Sequence, residues 1–195
     1  AREKVYAEIA KIHCDNLFHR RDIAHWALDG QILDGKALAA SIKDELRERV
    51  GKLEVKYGRK PSLAVIIVGS NPASQVYVRN KVKSAIYVGM NSRLITMAED
   101  TSEEALLKMI DSLNRDPEVD GILMQLPLPK QIDEARVIDA IAQEKDVDGF
   151  HPLNVANLWL GRKCTVPCTP KGIVRLIDES GLDLAGKTAV VVGRR

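Results

Sequence analysis

Leu63-Ala64-Val65-Ile66-Ile67-Val68, then Gly69-Ser70-Asn71-Pro72, then Ser74-Gln75-Val76-Tyr77-Val78-Arg79-Asn80-Lys81 is the stretch on which the fold turns. The first run is apolar on both faces, as a central parallel strand should be. Asn71 suits a helix N-cap, and Pro72 suits the first helical position, where no amide donor is needed. Ser74, Tyr77 and Lys81 then stand at i, i+3 and i+7. A helix with that spacing carries a hydroxyl, a phenol and an amine on one face. A lysine on the first turns after a parallel strand can be partly desolvated, which favours its neutral form and suits it to proton transfer. The plainer reading of the same face is a solvated lysine beside a half-buried tyrosine.

Working outward, the pattern of strand and helix repeats. Lys36 to Tyr57 reads as a long amphipathic helix with Leu38, Ile42, Leu46, Val50 and Leu53 as its apolar stripe and Gly58 as its stop. The helix opened by Pro72 runs to 88, with Gly89 at its end. Asn91 to Met97 is a second strand. Thr101 or Ser102 caps a helix reaching about Arg115, with Glu103 and Glu104 in its first turn. Val119 to Met124 is a third strand, and 132–143 a helix. Thr169 caps and Pro170 opens another helix, ending near Gly181. Lys187 to Gly193 reads as a strand running into a glycine turn. The alternation predicts an α/β fold with a parallel, doubly wound sheet. A strand ending in glycine is also how a Rossmann-like dinucleotide-binding domain begins.

Composition narrows the class. The chain has 195 residues, of which 45% are hydrophobic, enough for a sizeable core. A net charge of +2 argues for neither nucleic acid nor membrane as a partner. No apolar run approaches bilayer-spanning length. Cys14, Cys164 and Cys168 fit reduced thiols in a cytosol-like compartment better than a disulfide framework. The acids Glu3, Glu8, Asp15 and Asp22 and the lack of an apolar signal core argue against a targeting segment. In residues 1–30, Val5, Ile9 and Ile12 fall at helical spacing, and Ile23, Trp26 and Ala27 suggest a second short helix. His13, Cys14, His19 and His25 match no closed zinc pattern, and Arg20 and Arg21 fit a solvated face as well as a DNA-binding helix. No metal site is expected.

Two further segments place polar groups just after apolar runs: Gly121-Ile-Leu-Met-Gln125-Leu-Pro127-Leu-Pro129 and Lys145-Asp146-Val-Asp148-Gly-Phe-His151-Pro152. In open α/β sheets the ligand crevice lies at the carboxyl ends of the strands. Gln125 ends one strand; Tyr77 and Lys81 follow the end of another. Together with Asp34-Gly-Lys36, Val68-Gly-Ser-Asn-Pro-Ala-Ser74, Asp146-Val-Asp-Gly149 and Pro167-Cys-Thr-Pro170, these segments closely resemble the bifunctional methylenetetrahydrofolate dehydrogenase/methenyltetrahydrofolate cyclohydrolase family. The resemblance runs from about Ile32 to Gly193. Each motif is weak alone; their order and spacing are specific.

The resemblance implies an enzyme of one-carbon metabolism. Its family oxidises 5,10-methylenetetrahydrofolate by hydride transfer to NADP or NAD, then hydrolyses the methenyl product to 10-formyltetrahydrofolate. It implies Lys81 as the proton-transfer group, tuned by burial and by Gln125. It implies Tyr77 along the aminobenzoyl ring, Asp148 as acceptor for pterin N–H donors, and Ser74 in support. It also implies 31–160 as the folate-binding catalytic domain, 161–185 as a connecting segment with a helix, and 186–195 as the first strand of an NAD(P) domain whose cofactor site lies largely beyond Arg195. Residues 1–30 remain an extension without a counterpart. A homodimer in the cytoplasm, serving purine biosynthesis, is the family expectation. Each site residue keeps a plainer alternative: Asp148 as a turn residue before Gly149, Gln125 as a strand-end cap, Pro127 and Pro129 as loop shapers, and His151 as a structural residue. The other functional reading is a folate-binding or partner-binding domain without complete catalysis.

Overall fold

The computed structural model describes residues 33–188 and Val190. The readings made for residues 1–30, including His13, Cys14, His19, His25, Arg20 and Arg21, lie outside the described residues. Asp34–Arg195 forms one compact unit. Its elements run α1 (Gly35–Tyr57), β1 (Ser62–Val68), α2 (Pro72–Tyr87), β2 (Asn91–Met97), α3 (Glu103–Arg115), β3 (Gly121–Met124), α4 (Glu134–Ala140), a 3₁₀ turn (Gln143–Lys145), α5 (Pro152–Trp159) and α6 (Cys168–Asp178).

The three strands form a parallel sheet in the order β2-β1-β3, with Val65 opposite Leu94 on one side and Leu123 on the other. Because β1 is central, its alternate side chains enter two different cores. Ala64, Ile66 and Val68 pack with Leu106, Ile110 and Leu113 of α3 and with Val137 of α4. Val65 and Ile67 pack with Val78 and Val82 of α2, with Leu123 and with Val147. Helices therefore cover both faces, and the doubly wound reading holds. Burying one such Ile or Leu side chain stabilises the fold by about 1.5–3 kcal/mol.

Capping side chains set most element boundaries. Asp34 accepts from the amides of Lys36 and Ala37 to start α1, and Gly58, at φ 71°, ends it. Asn71 caps α2 and Ser102 caps α3. Long-range contacts move the other boundaries. The helix read at 132–143 is confined to α4: Asp133 caps its start, and Asn114 pins its end by donating to Ala140 O and accepting from the Ala142 amide. Residues 116–120 form a turn, so β3 starts at Gly121 rather than Val119; Asp116 Oδ1 accepts from the Glu118 amide. Helix α6 begins at Cys168, with Pro167 rather than Thr169 as its cap. Pro170 still falls in the first turn, where its missing N–H costs nothing.

Helix α5 is absent from the sequence-based reading. His151 caps it by accepting from the Leu153 amide at its Nδ1, and Pro152 opens it, the same signal that α2 displays. The stripe of α1 is less buried than its periodicity predicts. Only Val50 is buried, and Leu46 and Leu53 remain exposed; α1 packs along α2. Of the strand read at 187–193, only Lys187, Thr188 and Val190 are described, and none is in a strand. The Lys187 amide closes a turn onto Leu184 O instead of joining a ladder. No helix among the described residues is long and apolar enough to cross a membrane.

Candidate active site

The carboxyl ends of β1 and β3 bring three of the sequence-derived residues together. Gln125 follows β3 directly, and its amide bonds to Ile66 O at 2.9 Å, so its backbone is held on the central strand. Its side chain turns toward α2. There Lys81 Nζ donates to Gln125 Oε1 at 3.4 Å, while Gln125 Nε2 donates to Leu126 O at 2.6 Å. That second bond orients the amide so that its oxygen faces the amine. The next peptide, Leu126–Pro127, is cis.

Asp148 approaches from the other side. Ile122 and Asp146 form a parallel bridge, which lays the 146–149 loop beside β3 and carries Asp148 to the same end of the sheet. Burial pushes the Asp148 carboxyl above the ordinary aspartate value; the nearby Lys81 charge opposes this, and the Asp146 charge adds to it. Among the described residues no donor hydrogen-bonds the Asp148 carboxylate, although its own amide is bonded to Asp146 Oδ1.

Ser74 and Tyr77 lie on α2, about two turns and one turn before Lys81. Ser74 is buried at 6% exposure, close under the helix start, where its amide donates to Asn71 Oδ1. Tyr77 is 63% exposed, so its ring is open on the surface beside the site rather than half-buried. The helical geometry explains this difference. Ser74, Val78 and Ala85 form the inner face of α2, and Tyr77 sits about 60° off Ser74, at its rim.

Residues 143–154 hold groups that the sequence did not single out. Asp146 and Asn154 are both buried and hydrogen-bonded to each other at 2.9 Å, and Gln143 bonds to Asn154 in turn. The signal available was the paired carboxylates Asp146 and Asp148 before Gly149. His151 has the structural role expected of it. Cys164 is half-buried and Cys168 exposed, both as free thiols, and no cluster able to hold a metal occurs among the described residues. Two hollows of ≈410 Å³ and ≈490 Å³ lie along α1 and include none of these polar groups.

An amine held against an amide oxygen can move a proton, and an unpaired carboxylate beside it can accept N–H donors from a ligand. Together they lie at the carboxyl ends of a doubly wound parallel sheet, where ligand crevices form in α/β domains. Residues 33–148 match the family model described as "Tetrahydrofolate dehydrogenase/cyclohydrolase, catalytic domain", and the chain belongs to that family. It is 54% identical to the "Bifunctional protein FolD" of Moorella thermoacetica over 86% of its own length and 59% of that relative. It is 54% identical to the Listeria innocua protein of the same name, over 85% of this chain and 58% of that relative. The chain thus spans under two thirds of the length of these curated relatives. Among solved structures, the Campylobacter jejuni bifunctional FolD methylenetetrahydrofolate dehydrogenase/cyclohydrolase superposes with TM-score 0.76 at 46% identity, covering 79% of this chain and 55% of that one. The Trypanosoma brucei enzyme, complexed with NADP cofactor and inhibitor, gives TM-score 0.77 at 38% identity, over 80% and 54%.

Proposed function

We propose that this chain is the folate-side catalytic portion of a methylenetetrahydrofolate dehydrogenase/methenyltetrahydrofolate cyclohydrolase. The observation that carries the proposal is the Lys81 Nζ–Gln125 Oε1 contact of 3.4 Å, made between α2 and the end of β3, beside an Asp148 carboxylate with no donor among the described residues.

In this reading, the hydrolytic step begins with water attacking the carbon of the cationic N5–CH–N10 bridge. A C–O bond forms, the charge on nitrogen is cancelled, and one water proton passes to the Lys81 amine. The hydroxyl of this intermediate then gives up its proton as the C=O forms, the C–N5 bond breaks and N5 takes up a proton, leaving the formyl group on N10 with one proton released overall. Positioned proton transfer of this kind contributes about 10²–10⁴-fold. Gln125 orients the amine. Asp148 accepts from the pterin amino and ring N–H groups, a pairing that suits a carboxylate. The exposed Tyr77 ring offers a flat face to the aminobenzoyl group. Ser74 supports the start of α2.

The oxidative step draws on NADP, the cofactor named for the T. brucei relative, with NAD as the other choice. The nicotinamide, when bound, supplies a hydride acceptor. Beyond Thr188 only Val190 is described, so no residue is assigned to that transfer. The proposed division is therefore 31–160 for folate chemistry, 161–185 as connection and 186–195 as the entry to a cofactor domain. The same reading makes the protein a cytoplasmic homodimer with a folate rather than nucleic acid or membrane as partner, its product feeding purine biosynthesis. Family membership is the support for these.

Two assays on the 195-residue chain test the proposal. Hydrolysis of 5,10-methenyltetrahydrofolate should be detectable, and NADP-dependent oxidation of 5,10-methylenetetrahydrofolate should not. Absence of both hydrolysis and folate binding would remove the site reading. Robust oxidation would mean that a cofactor site exists within these residues.

A further inference from the structure

Asp146 is 5% exposed, yet its carboxylate is the most heavily bonded group near the site. Its Oδ1 accepts from the amides of Asp148 at 3.1 Å and Gly149 at 3.0 Å. Its Oδ2 accepts from the His151 amide at 2.9 Å and from Asn154 Nδ2 at 2.9 Å. A carboxylate offers about four acceptor directions, and donors from the 148–151 loop and from Asn154 on α5 use all of them. The His151 amide also belongs to the N-terminal end of α5, where negative charge is favoured.

The rest of the loop is fixed from three sides. Asn154, 2% exposed, donates to Gln143 O at 3.1 Å and accepts from Gln143 Nε2 at 3.3 Å. Gly121 makes room for Val147: a Cβ on Gly121 would come within 2.5 Å of Val147 Cγ1. Gly149 has φ +72°, and a Cβ there would stand 2.7 Å from Thr165 O. Asp148 thus lies between two immobilised neighbours, its amide tied and its carboxylate without a donor among the described residues.

We infer that Asp146 is a positioning residue for the folate site: its carboxylate gathers the 148–154 amides and Asn154 so that the Asp148 carboxylate stays directed at the ligand. The inference rests on the proposed role of Asp148 as the ligand's acceptor. Asp146 takes no part in proton transfer. Its oxygens accept from the amide and Asn154 donors that would otherwise let the loop relax. An asparagine at 146 sets an NH₂ against the donors that Oδ2 now accepts from, so the loop should loosen without a change in side-chain size.

A double-mutant cycle tests this, with tetrahydrofolate affinity measured by calorimetry well below the melting temperature. Asp146→Asn should weaken tetrahydrofolate about tenfold, and Asp148→Ala should do so by at least as much. Combined, the two should be no weaker than Asp148→Ala alone, because Asp146 acts through Asp148. In steady-state hydrolysis, the Asp146→Asn loss should fall mainly on KM. Full additivity overturns the inference, as does unchanged affinity in Asp146→Asn while Asp148→Ala is weakened. Unchanged affinity in Asp148→Ala overturns the site reading and the inference together. If Asp146→Asn does not fold, Asn154→Ala removes one of the four donors and runs the same cycle, with a smaller expected loss and the same non-additivity.

Discussion

Asp120 and Asp148 stand at opposite ends of one parallel sheet and are shifted in opposite directions. Before β3, Asp120 receives both guanidinium nitrogens of Arg59 at 2.7 Å each and the Ser62 amide at 2.8 Å. The Arg59 hydrogen bond holds its carboxyl below the ordinary aspartate value. Beyond the carboxyl end of β3, Asp148 has no donor among the described residues, and burial holds it above that value. One carboxylate is completed by the protein. The other is desolvated and left to be completed by something else. A protein interior normally pairs its charges, and the proposed folate site is the reading under which a ligand completes Asp148.

The largest expected effect comes from removing the amine that faces Asp148. Lys81→Met, in a protein carrying the cofactor half, should lower methenyltetrahydrofolate hydrolysis by about 10²-fold or more and spare much of the dehydrogenase. Equal loss of both activities together with folate binding would make Lys81 a binding group. Full hydrolysis in the mutant would erase the contrast between the two ends.

Next is Asp148→Ala, which should weaken folate binding by about 1–3 kcal/mol without lowering the melting temperature. A lowered melting temperature with unchanged affinity would instead make Asp148 a turn residue, equivalent in kind to Asp120.

A thermal series separates the two carboxylates by sign. The folded-state value of Asp148 is raised, so its ionised form costs stability, and the cost grows as pH rises from the ordinary value of 3.8. Asp148→Asn should therefore raise the melting temperature at neutral pH, with the gain fading as pH falls through the raised folded-state value and gone below 3.8. A gain that persists in acid would point to packing rather than charge.

The smallest effect belongs to Asp120→Asn. The folded-state value of Asp120 is lowered, so its stabilisation is present above 3.8 and lost as pH falls through the lowered value. The two side chains of the Arg59–Asp120 pair are 37% and 41% exposed, so solvent screening keeps the contribution small. The melting temperature should drop slightly at neutral pH, without any change in folate affinity. A change in affinity would show that the two ends of the sheet communicate.

Much of this molecule was legible in local pattern. The apolar run at 63–68, the Asn71-Pro72 cap and the Ser102-Glu103-Glu104 start each act over a few residues, and each element formed where its signal lay. Lys81, Gln125 and Asp148 were legible as polar groups after apolar runs, because the ends of parallel strands collect at one edge. Helix α5 carried a readable His151-Pro152 signal that went unread.

Burial and pairing were decided elsewhere. Asn114 truncates α4 across 26 and 28 residues, and Arg59 finds Asp120 across 61. Tyr77 and Lys81 share a helix face, yet one is open and the other half-buried, because the sheet covers only the inner part of that face. Asp146 and Asp148 are the same residue two positions apart. The sequence by itself determined the order of strands and helices and the chemical groups available at their ends, since caps and periodicity are short-range. Only the tertiary structure decided that Asp146 is satisfied by four donors while Asp148 has none among the described residues, because that depends on donors converging from separate elements.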